Sequence, residues 1–423
     1  MAGLLTLAVV VVGISAVAWF RPSWLELERG SSTPTPAPTP SGPRCATAHL
    51  AGKTGMGFIA WVRDGALHVR NLDTCEERVL VEQGADPPIR FSHDGRWIAF
   101  GRGTIVPTDG GPPQSPAGEL TDWQWSPKDD VVAGVTGQGG VVLGGPSAER
   151  SELLPEGSGG GHVAFSPDGR SLAVDVGGDR VEVVGIRGGR AATVYQVSPG
   201  TDATAEVVGW SPDGRWILFF ARFPKKAGVP LNAVPANGGP WVNVFEPVLP
   251  YPDFLSWCGD RLAVSGGAKG TPSEGSQILL TGPPDWRFSN LSVNFSQSWI
   301  WPGCSPDGRW VAATVMPSAR ERPPGSGARS LWLLSADGKE RARLTRPSDT
   351  AYELARWSAD GRFLLVVRRG PEPDAPGVLS LLRIDPKRGR AKIAVRAVAR
   401  LGPSPGENGH GDWSAISDWY RPG

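Results

Sequence analysis

The sequence holds little of what a charge-driven or metal-driven protein uses. Its 43 Lys and Arg balance 42 Asp and Glu, a formal charge of +1 over 423 residues. No global field therefore selects nucleic acid, and no nucleic-acid partner is expected. Histidine is scarce, with five residues scattered at 49, 68, 93, 162 and 410, and His93 stands where a repeated turn elsewhere carries Pro. Four cysteines form no CxxC pair and no Cys/His cluster, so neither zinc nor another resident cofactor is expected. HExxH and EF-hand patterns are missing, which removes the commonest metalloprotease and calcium-site signatures. "AHLAGKTG" imitates the end of a phosphate loop, but Thr47 replaces its first Gly and strand-like "GFIAWV" follows where a helix belongs. Lysine is rare, 8 against 35 Arg. With abundant Ala, Gly and Pro, this fits a GC-rich bacterial gene.

Punctuation and tryptophan are what the chain has in quantity. Its 57 Gly, 41 Pro and 18 Trp suit an all-β protein in which equivalent aromatic slots recur between turns. The N-terminus is different. Leu4 to Phe20 carries no charge and as a helix reaches about 25 Å, slightly short of a hydrocarbon core of about 30 Å. Residues 1–20 read as an uncleaved anchor, with "FRPSW" as interface residues. The alternative is a signal peptide cut near Ala16 to Ala18. Residues 21–44 follow as a juxtamembrane linker whose "GSSTPTPAPTPSGP" (Gly30 to Pro43) favours an extended polyproline spacer. The folded domain, 45–423, is then expected outside the cytoplasm, membrane-bound in a single pass, or secreted if the segment is cleaved.

One phrase is written repeatedly: "IRFSHDGRWIAF", "VAFSPDGRSLAV", "VGWSPDGRWILFF", "PGCSPDGRWVAA" and "ARWSADGRFLLV". The residue before each turn falls at Phe91, Trp125, Phe165, Trp210, Trp257, Cys304, Trp357 and Trp419, at intervals of 34, 40, 45, 47, 47, 53 and 62. A period in the forties with several short strands per unit predicts propeller blades. In "SPDGR", Pro presets the first corner, Asp bonds its own backbone and Gly accepts positive φ. The repeated Asp is thus expected to form turns rather than to catalyse.

"GFIAWV", "ALHVRNL" and "ERVLVE" supply three strands with no hub strand before them. "SAISDWYRPG" (Ser414 to Gly423) supplies a hub strand with nothing after it. Joining the two predicts a single propeller closed by its own ends, with no open sheet edge. Eight four-stranded blades follow, or seven if the Pro/Gly-rich stretch Gly101 to Glu119 forms no blade of its own. These motifs resemble the TolB-type propeller repeats, loosely related to WD-repeat propellers, over Gly57 to Gly423. The Tol-system protein with such repeats carries an additional N-terminal domain, and none is expected in this chain. The resemblance implies a fold and not a role in that system.

In an extracytoplasmic domain four cysteines allow three pairings. Cys45 with Cys75 and Cys258 with Cys304 are expected, because the second pair occupies nearly one register of consecutive hub strands.

Loop placement carries the functional expectation. Insertions beginning at Arg222, Gly266, Pro317 and Arg369 would decorate the face on which the hub strands begin. Asp122, His162, Glu206, Asp253 and Glu353 lie three or four residues before their hub positions, and Trp299 and Trp301 join them. A charged, aromatic rim on a rigid scaffold suits binding. The expected function is a non-enzymatic module recognising a protein, peptide or envelope glycan. The alternative is a hydrolase or lyase using rim carboxylates.

Overall fold

The computed structural model describes residues 45–50, 55–224, 229–248, 254–267, 275–292, 296–317, 329–345, 350–370, 372, 375–385, 387, 390–402 and 413–422. The expected anchor, signal and linker within 1–44 lie outside them. Among the described residues, no helix is long and apolar enough to cross a membrane.

The chain is an all-β propeller of eight blades. Blade 1 combines Phe58–Arg63, Ala66–Asn71 and Glu77–Val81 with the last strand of the chain, Ser417–Tyr420. Ile59 pairs with Trp419 and Phe58 with Tyr420, so the two ends close the ring as expected. The hub strands of the following blades are Ile89–Phe91, Leu120–Trp125, Gly160–Phe165, Thr204–Trp210, Leu255–Cys258, Ser298–Cys304 and Ala351–Trp357. Blade 2 departs from the expected four strands. It has Ile89–Phe91, Trp97–Phe100 and Thr104–Pro107, and Gln114 bridges to Ile105 where a fourth strand would lie. The stretch from Gly101 to Glu119 has too many Gly and Pro to donate a full ladder.

The recurrent turn explains why the phrase is repeated. In the turns at Asp94, Asp168, Asp213, Asp307 and Asp360, the Ser hydroxyl donates to an Asp oxygen at 2.5–2.8 Å. The same oxygen accepts the N–H of the following Arg at 3.0–3.1 Å. The first residue of the next strand donates back to the Ser oxygen at 2.9–3.1 Å. The Gly adopts φ between 68 and 73°, which a side chain would strain. A sixth copy, "SADGK" at Ser335, forms the same network inside blade 7.

Hub aromatics fasten blade to blade. The indole N–H of Trp125 donates to Arg90 O (3.1 Å), that of Trp210 to Ala164 O (2.9 Å) and that of Trp357 to Gly303 O (2.8 Å). Each acceptor is the residue before the preceding hub position. At Cys304 the disulfide to Cys258 takes that place, with the Cys304 sulfur 3.5 Å from Ser256 O. Both expected disulfides are formed, with Cα separations of 5.3 Å for Cys45–Cys75 and 5.1 Å for Cys258–Cys304. They suit an oxidising, extracytoplasmic compartment.

Buried apolar residues gather into a separate cluster at each of the eight blade junctions. Each fully buried aliphatic or aromatic side chain contributes roughly 1.5–3 kcal/mol. The junction of blades 8 and 1 holds Trp61, Phe363, Trp413 and Trp419 together, so closure is secured by large aromatics as well as by strand pairing.

Candidate functional site

Three expected rim residues converge at the start of the hub strands of blades 3, 4 and 5. An Asp122 oxygen accepts the Val163 N–H of the next blade at 2.9 Å. Burial raises the Asp122 carboxyl above the usual aspartate range, partly offset by that hydrogen bond and by the charge of His162. His162 Nδ1 donates to Asp175 Oδ2 at 2.9 Å, while its ring stays about half exposed. This hydrogen bond, together with the charges of Asp175, Asp122 and Glu206, outweighs partial burial and raises His162 to about 9. The imidazole is therefore cationic at neutral pH. Glu206 pairs with Arg222, whose Nη2 donates at 3.1 Å.

Asp175 was not legible as a site residue, yet it organises the cluster. It is 3% exposed. It accepts the His162 N–H at 3.0 Å and the His162 ring, and it also accepts the Val207 N–H of blade 5 at 2.9 Å. The available signal was a lone carboxylate inside the apolar strand Ser171–Val176 (SLAVDV). A buried charge must be paired, and here one carboxylate joins two blades and orients an imidazole.

The remaining expected rim residues lie elsewhere. Glu353 and Trp299 are each 0% exposed and Trp301 is 7% exposed, so none offers a surface to a large partner. This corrects the expectation that they form an exposed rim. Glu353 Oε1 accepts Arg369 Nε at 2.8 Å and also Arg329, and Oε2 accepts the Trp413 indole. Arg329 and Arg369 are 6% and 5% exposed, and the Arg329 guanidinium lies 5.5 Å from the Trp301 ring centre. Trp299 packs against Trp332 with ring centres 5.3 Å apart. A polar residue early in a hub strand can thus face the mouth, as His162 does, or join a buried inter-blade network, as Glu353 does. Sequence position does not separate the two. Asp253 and much of the four insertions lie outside the described residues.

No protein-family model and no curated protein sequence matches the chain. Solved structures do match. Dipeptidyl peptidase 4 of Porphyromonas gingivalis superposes with a TM-score of 0.56 at 11% identity, over 84% of this chain and 60% of that one. A eukaryotic initiation factor superposes with a TM-score of 0.55 at 12% identity, over 88% and 89%. TolB of Acinetobacter baumannii matches with a TM-score of 0.34 at 16% identity, over 67% and 62%. At these identities the likeness is one of fold. With its repeated Ser-x-Asp-Gly-Arg turns and terminal closure, the chain has the fold of an eight-bladed β-propeller.

Proposed function

We propose that the chain is an extracytoplasmic binding module, tethered by its N-terminal apolar segment, that recognises a protein or peptide partner at the mouth formed by blades 3 to 5. The carrying observation is the cationic, half-exposed imidazole of His162 fixed by the buried Asp175 between Asp122 and Glu206. Its polar groups are oriented before any partner arrives, which lowers the ordering cost of recognition. The carboxylates already serve the scaffold: Asp122 and Asp175 each accept a backbone N–H from the next blade, and Glu206 holds Arg222. Such fixed charges suit steering and orientation of a partner.

A second reading is favoured by one specific feature. A buried carboxylate on Nδ1 orients an imidazole as in acid–base catalysis. With His162 at about 9, the group would act as a proton donor in a hydrolase or lyase, since it holds its proton at neutral pH.

Crosslinking capture by the intact protein from its native membrane tests the binding reading. A partner retained by the parent and lost in His162→Gln is expected. Equal capture by both proteins would overturn the assignment of the mouth.

A further inference from the structure

The turns of blades 2 and 3 both break the repeat, and the residues that break it meet. Other copies read Ser-Pro-Asp-Gly or Ser-Ala-Asp-Gly, whereas blade 2 has His93 in the second position and blade 3 reads "SPKDD", ending in Asp130. His93 Nδ1 lies 3.5 Å from Asp130 Oδ1. That oxygen is sealed from solvent and accepts no hydrogen bond. One ligand atom each from His93, Asp94 and Asp130 can be chosen so that all lie within 4.8 Å of one another. Tetrahedral ligands about 2.1 Å from a zinc ion stand about 3.4 Å apart, close to the observed His93–Asp130 spacing. An orphaned buried carboxylate oxygen facing an imidazole nitrogen at that distance is what a shared cation would satisfy.

We propose that His93, Asp94 and Asp130 bind a divalent transition-metal ion of the zinc type, pinning blade 2 to blade 3. One imidazole nitrogen and two carboxylates favour such an ion over Mg²⁺ or Ca²⁺, which take oxygen ligands. The location gives the ion a purpose, because blade 2 has three strands and a single bridge beyond them. Arg96 now contacts both Asp94 and Asp130. Its side chain is 70% exposed, so it can swing outward when the ion enters. The site lies at the far end of the hub strands from His162 and is independent of the proposed mouth.

Calorimetric titration of the intact, chelator-stripped protein with ZnCl₂ tests the site. The parent is expected to bind one ion saturably and to melt at a higher temperature with it, because a ligand that binds only the folded state stabilises that state. His93→Pro restores the residue that other copies of the turn carry, so the turn is retained while a ligand is lost. It should bind roughly tenfold more weakly or worse and lose the thermal shift, with an unchanged melting temperature in chelator. Arg96→Gln should bind more tightly, because a competing cation is removed. Absence of saturable binding by the parent, or parental affinity in His93→Pro, would overturn the proposal.

Discussion

The carboxylate of Asp418 accepts the backbone N–H of Phe91 at 2.8 Å, while its other oxygen accepts Arg356 Nη1 at 2.9 Å. One residue near the C-terminus therefore links blade 8, through Arg356, to blade 2, through Phe91, from its own place in blade 1. Chain ends are usually dispensable, but this one completes the ring. Removing residues 414–423 is expected to abolish cooperative unfolding followed by circular dichroism. A truncated protein that melts like the parent would refute closure by the two ends.

Glu353 separates a structural role from a binding role. Breaking a buried ion pair by removing one partner costs about 3–5 kcal/mol, and Glu353→Ala strips Arg329, Arg369 and Trp413 of their shared acceptor. Urea titration should show that loss. A variant as stable as its parent would mean that the network is not an essential link between blades 7 and 8.

The hub tryptophan and the turn aspartate should differ sharply. Trp357 is 2% exposed and its indole bonds Gly303 O. Trp357→Ala is expected to cost about 3–5 kcal/mol. Asp213→Asn alters only hydrogen bonds within its own turn and a surface ion pair with Arg215 and should cost about 1 kcal/mol. Equal losses in a denaturant titration would count against the turn role of the repeated aspartate.

The pH dependence has two limbs. The Ser335 hydroxyl and the Lys339 N–H, outweighing slight burial, lower Asp337 to about 2. Burial pushes Asp94, Asp213, Asp307 and Asp360 upward, but their turn hydrogen bonds prevail and hold them low. The stabilisation from all five is complete above the ordinary value of 3.8 and is lost as pH falls below it, for Asp337 as pH falls toward about 2. His162 is raised, so its contribution is complete below 6.5 and lost as pH rises through about 9. Melting temperature should decline on both sides. His162→Gln should flatten the alkaline decline alone, and an unchanged alkaline limb would contradict the Asp175–His162 pairing.

The architecture was legible because it repeats. The "SPDGR" turn, the spacing of hub residues and the split first blade each state a local rule that the fold obeys. Pairing of Cys258 with Cys304 was legible for the same reason, since both sit at one register of neighbouring strands. The site was legible only in part. Asp122, His162 and Glu206 share an offset of three or four residues from their hub positions, but Asp175 comes from a second strand and reaches them only through tertiary packing. Trp299 and Glu353 share that offset or lie near it, yet Trp332 and the guanidinium groups of Arg329 and Arg369 cover them. Offset along a strand defines depth in the blade, whereas exposure depends on what neighbouring strands bring.

The most direct test of the mouth compares affinities for the captured partner. The parent, a His162→Gln/Glu206→Gln double variant and Arg309→Ala, whose side chain is 79% exposed in the turn at the other end of the hub strands, should be measured side by side after their melting temperatures are matched. The double variant is expected to bind at least about tenfold more weakly, about 1.4 kcal/mol, and the parent's affinity should fall as salt screens the exposed charges. Arg309→Ala should bind like the parent. Parental affinity in the double variant, with loss in Arg309→Ala, would place the binding surface on the turn face and contradict the account.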